Sequence, residues 1–592
     1  METSLPERPP RRRSWFFWFV IVSAAFMTLV AGSFYLLIRS IRGTTPTVSR
    51  GSTVTIDLAH SYPEETLYDI GGPFLGFSRL TFRDLLLGIE DAREDSRIRK
   101  LLLHVRATTL GWAQAAELRE KLLEFKSSGK SLVAFIEYGS NLDYFLASSA
   151  DAIYIHPRTV LDLRGLRAEA IFIRSALEKI GVQAEFERVG AYKDAPDTFL
   201  RDDLSPESRE ALQGLVGTIH DVLLTSLVEG RGMDRDRASS LIARGPFTAS
   251  EALESDLVDG LHYIDEVRKL MAPEGRKLET LPIRDYQQAT RMGPSFGGRG
   301  DARVAVIYGI GAIVSGSSTE DAVFGRVMGS DTIAEAFESA REDEDIDAVV
   351  FRIDSPGGSD VASDVIWREA MLTREKKPVV VSMANVAASG GYWVATASDA
   401  IVAEPATITG SIGIFAGKFN LAGLFDKVGV STDGVETADN ADFFSSTRSF
   451  TPEEREKLRQ ILESGYQAFL ERVAQSRNRT IEEVHEIAQG RVWSGRAAHE
   501  LGLVDELGGL DRALTLAKVR AGFDAEAPVE LRIYPEKKQF FEFFLTNFIG
   551  GADARAPLEL LDPRTLLARS PLLRLAGEGA GLALMPFRLR IH

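Results

Sequence analysis

The sequence predicts an α/β protein that contains the same fold twice, preceded by one transmembrane helix. Residues 144–157 and 392–405 read as copies of each other, with Tyr, Ala, the Asp-Ala-Ile run and the closing Pro in register. The same offset of 248 residues pairs Gly181 with Gly429. A run without charged residues, 15–38, precedes both copies. A repeat of this size indicates a duplicated domain, so the repeat defines the architecture.

Length and composition limit the class of protein. A chain of 592 residues is too long for one hydrophobic core, so two domains and some additional segments are expected. The formal net charge of −16 argues against a nucleic acid as partner, because an acidic protein displaces no counterions from a polyanion. The chain has no cysteine, which excludes disulfides, thiolate metal sites and thiol nucleophiles.

The apolar run near the N-terminus is long enough to cross a membrane. At about 1.5 Å per residue it spans roughly 36 Å, which covers the hydrocarbon core with some tilt. Four arginines stand before it and two after it, and this positive-inside bias places the N-terminus in the cytoplasm. The arginines are Arg8, Arg11, Arg12 and Arg13 on one side and Arg39 and Arg42 on the other. We predict a cytoplasmic tail at 1–13 and a single-pass anchor at 14–38.

A cleaved signal peptide is the alternative interpretation of this run. The small residues Ala31, Gly32 and Ser33 would form its cleavage site. The apolar run continues through residues 34–38, which is long for a signal peptide.

Each copy begins with a β-rich run and then alternates strand-like and helix-like segments. In the second copy, β-branched runs at 349–353 and 378–383 enclose a helical stretch at 363–375. Strands separated by helices favour a parallel sheet with right-handed crossovers. The predicted domains are 50–286 and 303–525, joined by a glycine-rich linker at 287–302 and followed by a C-terminal extension at 526–592.

The C-terminal extension has no counterpart in the first copy. It carries five phenylalanines between 540 and 548 and a leucine-rich run at 558–575, neither long enough to span a membrane. An exposed aromatic patch would favour a membrane surface or a neighbouring subunit, and packing on its own domain is an equal alternative.

The second copy carries the residues that could perform catalysis. Ser389 follows one predicted strand at the start of a helix, where its hydroxyl is expected to be exposed, and the N–H of Gly390 would point at developing negative charge. Gly357 and Gly358 end the preceding strand and would let a second backbone N–H approach the same point. Taken alone, a Ser-Gly-Gly or Pro-Gly-Gly triplet is an ordinary turn.

The two copies differ at the positions where chemistry would occur. The second copy has Ser389 where the first has Asn141, and the first has Lys193 where the second has Ala441. On its own, Lys193 would be taken for a solvated surface lysine. The complementary pattern instead predicts one complete site for each duplicated chain.

Four motifs resemble the signal peptide peptidase A (protease IV) family of the long, duplicated bacterial type. They are Ser-Pro-Gly-Gly at 355–358, Ala-Ala-Ser-Gly-Gly-Tyr-Trp at 387–393, Thr-Gly-Ser-Ile-Gly at 409–413 and Gly-Ala-Tyr-Lys at 190–193. The resemblance covers nearly everything from residue 50 to about 520. It implies two tandem crotonase-like domains, related to the caseinolytic serine peptidases, and a Ser-Lys dyad.

The resemblance also implies roles and a setting. It places the nucleophile on Ser389, the general base on Lys193 and the lysine-orienting hydroxyl on Ser411, with the oxyanion hole at Gly357, Gly358 and Gly390. It implies an endopeptidase in the bacterial inner membrane, with its domains on the periplasmic side, that degrades signal peptides and other hydrophobic peptides. It further implies a homotetramer, no cofactor and no metal. Burial could lower the pKa of the lysine far enough for it to act as a base.

Three alternatives remain at this stage. A Ser-His-Asp triad would need one of the eight histidines, and Asp354 or Asp399 as the acid; these carboxylates fit caps or turns better. A crotonase-type acyl-CoA hydratase or isomerase would need glutamates near the glycines. A catalytically silent membrane scaffold would be favoured by loss of Ser389 or Lys193, and both are present.

Overall fold

The computed structural model describes residues 46–65, 80–291, 301–321 and 325–535, with short further stretches between 18 and 32 and at 582–584 and 590–591. The predicted cytoplasmic tail, the phenylalanines at 540–548 and the linker positions 292–300 lie outside the described residues.

The first half is built on an eight-stranded sheet. The main path β10-β1-β2-β3-β4-β9 is parallel throughout, and β5 and β8 attach to it at β3. The strands are β1 (Ser52–Asp57), β2 (Ile98–Arg106), β3 (Ser131–Ser140), β4 (Ala152–Ile155), β5 (Val160–Asp162), β6 (Ala168–Glu169), β7 (Gln183–Val189), β8 (Phe247–Thr248), β9 (Gly260–Leu261) and β10 (Thr280–Pro282). The helices are α1 (Phe82–Glu94), α2 (Trp112–Ser127), α3 (Asn141–Ala147), α4 (Arg174–Ile180), α5 (Asp197–Leu200), α6 (Pro206–Arg231), α7 (Arg235–Arg244), α8 (Ala249–Glu254), α9 (Ile264–Met271) and α10 (Ile283–Arg291).

The second half repeats this plan. Its main path β21-β19-β17-β15-β11-β23 is parallel except for β21, and β18 and β22 attach at β17. The strands are β11 (Ala302–Ile310), β12 (Ala312–Val314), β13 (Thr319–Asp321), β14 (Gly325–Gly329), β15 (Ala348–Ser355), β16 (Gly357–Ser359), β17 (Val379–Ala388), β18 (Ala400–Ala403), β19 (Ile408–Gly410), β20 (Ile414–Asn420), β21 (Val492–Ser494), β22 (Glu506–Leu507), β23 (Val529–Tyr534), β24 (Leu582–Leu584) and β25 (Arg590–Ile591). The helices are α11 (Ser330–Glu342), α12 (Asp360–Arg374), α13 (Gly390–Ala395), α14 (Ala422–Val428), α15 (Pro452–Arg477), α16 (Ile481–Ile487), α17 (Gly495–Glu500) and α18 (Leu510–Arg520).

Matched hydrogen bonds confirm the duplicated α/β fold. The Tyr144 hydroxyl donates to the carbonyl of Leu257 at 2.7 Å, and the Tyr392 hydroxyl donates to the carbonyl of Leu503 at 2.8 Å. Helices α6 and α15 also correspond, since each has 26 residues and begins with proline. The repeat in the sequence is therefore a repeat in three dimensions.

Strand β15 shows why the central strands are continuously apolar. Val349, Phe351 and Ile353 point into one hydrophobic cluster, and Ala348 and Val350 point into another on the opposite face. A parallel strand covered on both faces reads as an unbroken apolar run, which is the pattern that predicted it.

Two predicted boundaries differ from the structure. Strand β23 lies in the predicted C-terminal extension but pairs with β11 as β10 pairs with β1, so the second sheet continues past residue 525. Helix α10 continues to Arg291, so the segment predicted as linker from residue 287 begins as helix.

Among the described residues, α6 is the helix long and apolar enough to cross a membrane. It packs against α3, α7 and β21, as a core helix does.

A third, mixed sheet joins the two halves. Its order is β13-β14-β12-β16-β24-β20-β7, so β7 leaves the first half and pairs antiparallel with β20 of the second. Seven residue pairs form, from Val189 opposite Ile414 to Gln183 opposite Asn420. The periodicity of the sequence did not predict this sheet.

A buried ion cluster also holds the halves together. The guanidinium of Arg352, on β15, donates to the carboxylates of Glu64 at 2.9 Å and Glu117 at 2.6 Å, both from the first half. All three side chains are buried. Removing one partner would leave an unpaired buried charge, so the cluster fixes how the halves dock.

Candidate active site

Ser389 lies at the turn between β17 and α13. Its φ of 57° is in the left-handed region, an uncommon conformation for a residue with a side chain. Its backbone N–H donates to the carbonyl of Gly410 at 2.8 Å, and its side chain makes no capping bond to α13. The hydroxyl is therefore free to contact another group.

The sequence-based expectation that Ser389 is exposed is wrong. The residue is fully buried, with a relative exposure of 0%. Lys193 and Ser411, which are equally buried, enclose the hydroxyl from the other half and from the loop before β20.

Lys193 brings its amine to this hydroxyl from the first half. Its Nζ lies 2.7 Å from Oγ of Ser389. Nζ also donates to the carbonyl oxygen and to Oγ of Ser411, each at 3.1 Å. The structure therefore brings together the three residues that the sequence proposed as nucleophile, base and lysine-orienting hydroxyl. A neutral amine, with two N–H groups and one lone pair, matches these three contacts.

Burial determines the protonation of this lysine. Loss of hydration lowers the pKa of Lys193 well below its usual 10.5, and the nearby carboxylate of Asp194 opposes the shift only in part. Burial also raises the pKa of Asp194, to about 6. Burial therefore favours the neutral amine over the charged ammonium.

The position of Lys193 depends on the segment 489–491, which sequence reasoning missed. The N–H of Tyr192 donates to Gln489 at 2.9 Å, and the N–H of Ser411 donates to Arg491 at 2.7 Å. A Cβ placed on Gly490 would lie 2.5 Å from Cα of Lys193. One loop thus holds both the lysine segment and the Ser411 segment. The sequence signal for it was a glycine before a short strand, which looks like any turn.

Arg188 is a second residue that sequence reasoning missed. Its guanidinium donates to the carbonyl of Lys193 at 3.0 Å and to the carboxylate of Asp197 at 2.7 Å. Arg188 lies on β7, so the pairing with β20 fixes the lysine through this contact.

Of the glycines proposed for the oxyanion hole, Gly390 directly follows the serine, and Gly357 and Gly358 lie on β16, which contacts helix α13. Gly390 is the first residue of α13, whose initial N–H groups have no partner within the helix. The N–H of Gly357 donates to Oγ of Ser355 at 3.1 Å. A Cβ on Gly358 would lie 2.0 Å from the carbonyl oxygen of Ile313, so only glycine fits there.

A strand from the C-terminal region lies against these glycines. Residues Leu582–Leu584 pair antiparallel with Gly357–Ser359, and Leu582 also pairs with Phe415 on β20. The space between β16 and β20 thus accommodates one extended chain.

The carboxylates and histidines weighed for a triad have other partners. Asp354 accepts from the N–H of Val386 at 3.0 Å, and Asp399 accepts from the N–H of Val379 at 2.9 Å. The histidines that take part in hydrogen bonds contact groups away from the serine: His60, His104, His156, His485 and His499. Among the residues that the structure describes, no group of three or more His, Asp or Glu side chains could hold a metal ion.

In the first copy, Asn141 stands at the position of Ser389 and has a structural role. Oδ1 of Asn141 accepts the N–H of Arg164 at 2.8 Å. Ala441, the counterpart of Lys193, is exposed. Of the two equivalent positions in the described halves, one therefore carries a complete Ser-Lys arrangement.

One protein-family model and several known proteins match this chain. The model of "Peptidase family S49" matches the chain twice, at residues 124–278 and 371–524. The chain is 34% identical over 462 residues to the chloroplastic serine protease SPPA of Arabidopsis thaliana, covering 77% of this chain and 68% of that protein. It is 33% identical over 517 residues to Protease 4 of Salmonella typhi, covering 84% and 81%. It is 35% identical over 179 residues to the "Putative signal peptide peptidase SppA" of Enterococcus faecium, covering 30% and 52%.

Proposed function

The chain belongs to peptidase family S49 and is a serine peptidase, and on this premise we propose that Ser389 and Lys193 form its catalytic dyad. The observation that carries the proposal is the 2.7 Å distance between Nζ of Lys193 and Oγ of Ser389 in a fully buried setting. A nucleophilic hydroxyl needs a base within this distance.

Hydrolysis then proceeds in two steps. Neutral Lys193 accepts the hydroxyl proton while Oγ of Ser389 forms a bond to the scissile carbonyl carbon. The resulting ammonium gives its proton to the leaving amine as the C–N bond breaks, which leaves an acyl-enzyme. A water molecule loses a proton to Lys193 and attacks the ester, and Ser389 recovers its proton as the C–O bond breaks.

Ser411 orients the base. Its two oxygens accept hydrogen bonds from Nζ, which directs the remaining position of the amine toward Ser389. The same oxygens stabilise the ammonium that forms during each step, because hydrogen bonds to a charged donor are stronger than to a neutral one.

Backbone N–H groups stabilise the oxyanion. Gly390 contributes the N–H at the helix start, where the helix dipole also favours negative charge. Gly358 supplies the second N–H, since that of Gly357 is directed at Ser355.

The substrate binds as an extended strand. An incoming peptide would add between β16 and β20, in the space where Leu582–Leu584 pairs with Gly357–Ser359. We propose hydrophobic peptides as substrates, above all cleaved signal peptides, in line with the name of the Enterococcus faecium relative.

Residues 14–38 anchor the enzyme in the membrane. The described positions between 18 and 32 are helical, and Trp18, Phe26 and Leu29 are more than half exposed, as in a lipid-facing helix. The arginine bias places the N-terminus in the cytoplasm and both domains on the periplasmic side of a bacterial inner membrane.

Two finer features complete the proposal. Each half is a crotonase-like domain, predicted at 50–286 and 303–525; helix α10 extends the first half to Arg291, and strand β23 extends the second to Tyr534. The chain assembles as a homotetramer whose sites face an enclosed interior, which admits extended chains and excludes folded proteins.

Covalent labelling tests the proposed nucleophile. A fluorophosphonate probe should modify the purified full chain once, and peptide mapping should place the adduct on Ser389. An adduct at another residue, or none in an enzyme that hydrolyses peptides, would remove Ser389 from the mechanism.

A further inference from the structure

The two halves end one pair of equivalent helices at different points. Helix α7 of the first half ends at Arg244, and helix α16 of the second half ends at Ile487. In this part of the chain equivalent residues lie 246 positions apart, as Pro206 at the start of α6 and Pro452 at the start of α15 show. Arg244 therefore corresponds to Gly490, and α16 ends three residues earlier than its copy does.

The residues that follow the shortened α16 form the loop 489–491, which contacts the site. The carbonyl of Gln489 accepts the N–H of Tyr192 at 2.9 Å, and the N–H of Gly490 donates to the carbonyl of Ile412 at 2.7 Å. In the first half the equivalent residues belong to the last turn of α7, where an N–H bonds to the carbonyl four residues earlier. The early end of α16 therefore allows the loop to reach the segment that carries the base.

A hydroxyl on helix α15 takes the place of the missing helical acceptor. In a continued helix, the N–H of Gln489 would bond to the carbonyl of His485. It donates instead to the hydroxyl of Tyr466 at 3.2 Å, and this hydroxyl also lies 3.0 Å from Nδ1 of His485. Tyr466 is buried, and burial raises the pKa of its hydroxyl to about 12, so the group stays neutral. Tyr466 therefore fixes the point at which the chain leaves α16.

An indole that follows the loop in sequence holds the last carbonyl of α16. Nε1 of Trp493 donates to the carbonyl of Ile487 at 2.9 Å. The Trp493 ring also lies 4.1 Å from the guanidinium carbon of Arg491, within the range of a cation–π contact. Because the last carbonyls of a helix lack partners within it, this bond stabilises the early end of α16.

The first half has neither group. With the same offset, His220 stands at the position of Tyr466, and Phe247 stands at the position of Trp493. Phenylalanine has no N–H to donate, and α7 continues past the point at which α16 ends. The half that lacks the serine therefore also lacks the two groups that satisfy the shortened helix.

Gln489 has a backbone conformation that its surroundings must hold. Its φ is 51°, and it is one of six non-glycine residues with positive φ in the described part of the chain. Ser389 and Ser411, at 57° and 51°, are two of the others, so half of these residues lie at the site. Such conformations cost free energy and persist only where contacts fix them. The bond to Tyr466 is the contact that fixes the N–H of Gln489.

We propose that Tyr466 is a positioning residue for the base, acting on Lys193 through the N–H of Gln489 and the loop 489–491. The role rests on the proposed Ser-Lys dyad. Trp493 supports the same loop through its bond to the end of α16. Loss of the Tyr466 hydroxyl would let the loop shift and admit water to Nζ, which would raise the pKa of Lys193 back toward 10.5.

Tyr466→Phe in the full-length, detergent-solubilised enzyme tests this role, because it keeps the ring and removes the hydroxyl. For a fluorogenic peptide, kcat per folded molecule should fall about tenfold, since small displacements of catalytic groups are costly. KM should stay within about twofold of wild type, because the strands that bind the peptide are unchanged. Trp493→Phe, which gives the second half the residue of the first, should lower kcat in the same direction.

Tyr144→Phe is the matched control. The Tyr144 hydroxyl is also buried, and it donates to the carbonyl of Leu257 at 2.7 Å in the core of the first half. This variant should lose similar stability to Tyr466→Phe, measured by thermal unfolding, and keep the wild-type kcat. A general loss of stability would lower the activity of both variants alike.

The pH profile separates a positioning role from a structural one. In Tyr466→Phe the midpoint of kcat/KM against pH should move toward 10.5, so the loss of activity should shrink as pH rises. The midpoint of Tyr144→Phe should coincide with that of the wild type. A wild-type kcat and an unmoved midpoint in Tyr466→Phe, or an equal loss of kcat in Tyr144→Phe, would overturn the positioning role.

Fluorophosphonate labelling distinguishes failure of this role from failure of the dyad. In Tyr466→Phe the adduct on Ser389 should form about tenfold more slowly than in the wild type, in line with kcat. Adduct formation on Ser389 at the wild-type rate would overturn the positioning role alone. A wild-type adduct at a residue other than Ser389 would overturn the dyad, and the positioning role with it.

Discussion

Nζ of Lys193 lies 2.7 Å from Oγ of Ser389, although 196 positions of sequence separate the two residues. Each comes from a different half of the duplicated fold, and neither half contains the pair. The distance therefore depends on the β7–β20 pairing and on the loop at 489–491. A substitution that weakens the contact between the halves should therefore displace Nζ of Lys193 from Oγ of Ser389.

Replacing Ser389 with alanine should abolish peptide hydrolysis. The change removes one buried hydroxyl while Nζ of Lys193 keeps its two contacts with Ser411, so stability should change by no more than about 2 kcal/mol. Turnover should fall more than about 10³-fold, measured with a fluorogenic peptide, while circular dichroism and thermal unfolding stay near wild type. Substantial turnover in a pure sample would assign the nucleophile elsewhere.

Lys193→Met and Lys193→Arg should both lose activity nearly as fully as Ser389→Ala. Methionine cannot accept a proton, and arginine keeps its proton at any workable pH. The double variant with Ser389→Ala should be little worse than either single variant, because residues that act as one unit are strongly non-additive. Normal kcat in Lys193→Arg would show that the lysine contributes charge only.

Activity should rise with pH as Lys193 loses its proton, and it should level off well below pH 10.5. Burial lowers the pKa of this lysine, so the neutral base becomes available at lower pH than for a free lysine. A profile of kcat/KM against pH measures this pKa. A midpoint near 10.5 would contradict the burial argument.

The same pKa shift predicts how stability depends on pH. Between the lowered folded pKa and 10.5, the unfolded chain binds the proton more strongly, so wild-type stability should rise with pH. Lys193→Met lacks this contribution. Its stability relative to wild type, from denaturant unfolding, should therefore decline as pH rises toward 10.5. A pH-independent difference would show that the lysine is not desolvated.

Gly490→Ala should reduce activity about 100-fold, since small displacements of catalytic groups are costly. A Cβ at this position would lie 2.5 Å from Cα of Lys193. Gly522→Ala is the matched control, because Gly522 has a similar positive φ, 89° against 83°, and an open surrounding. Both variants carry the strain of a positive φ, and Gly490→Ala should lose more stability because of its added clash; only Gly490→Ala should lose kcat, measured per folded molecule. Equal kcat values in the two variants would show that the loop at 489–491 does not hold Lys193 in position.

Added protease should reach the region beyond residue 50 once the outer membrane is opened, while the first dozen residues stay protected. The arginine bias around the predicted anchor gives this orientation. Epitope tags at the N-terminus and in the exposed segment 431–437 would show which side each occupies. Protection of the tag at 431–437 would show that the topology is the reverse of the predicted one.

The sequence alone determined the duplication, and the family resemblance proposed the site residues. Comparison of the aligned copies supports that assignment, because Ser389 stands where Asn141 stands and Lys193 stands where Ala441 stands. The strands were also predictable, because a parallel strand buried on both faces must be apolar throughout, as β15 is.

The tertiary structure decided which strands join the halves, how deeply the site residues are buried and how far the pKa of Lys193 is lowered. Sequence patterns encode which face of an element is apolar, and they do not encode which distant strand completes a sheet, so the β7–β20 joint was not predictable. The burial of Ser389 and the lowered pKa of Lys193 follow from that joint, because hydration is lost only when both halves enclose the pair. A lysine that looks like a surface residue in the sequence is buried in the fold, and the loss of its hydration lowers its pKa.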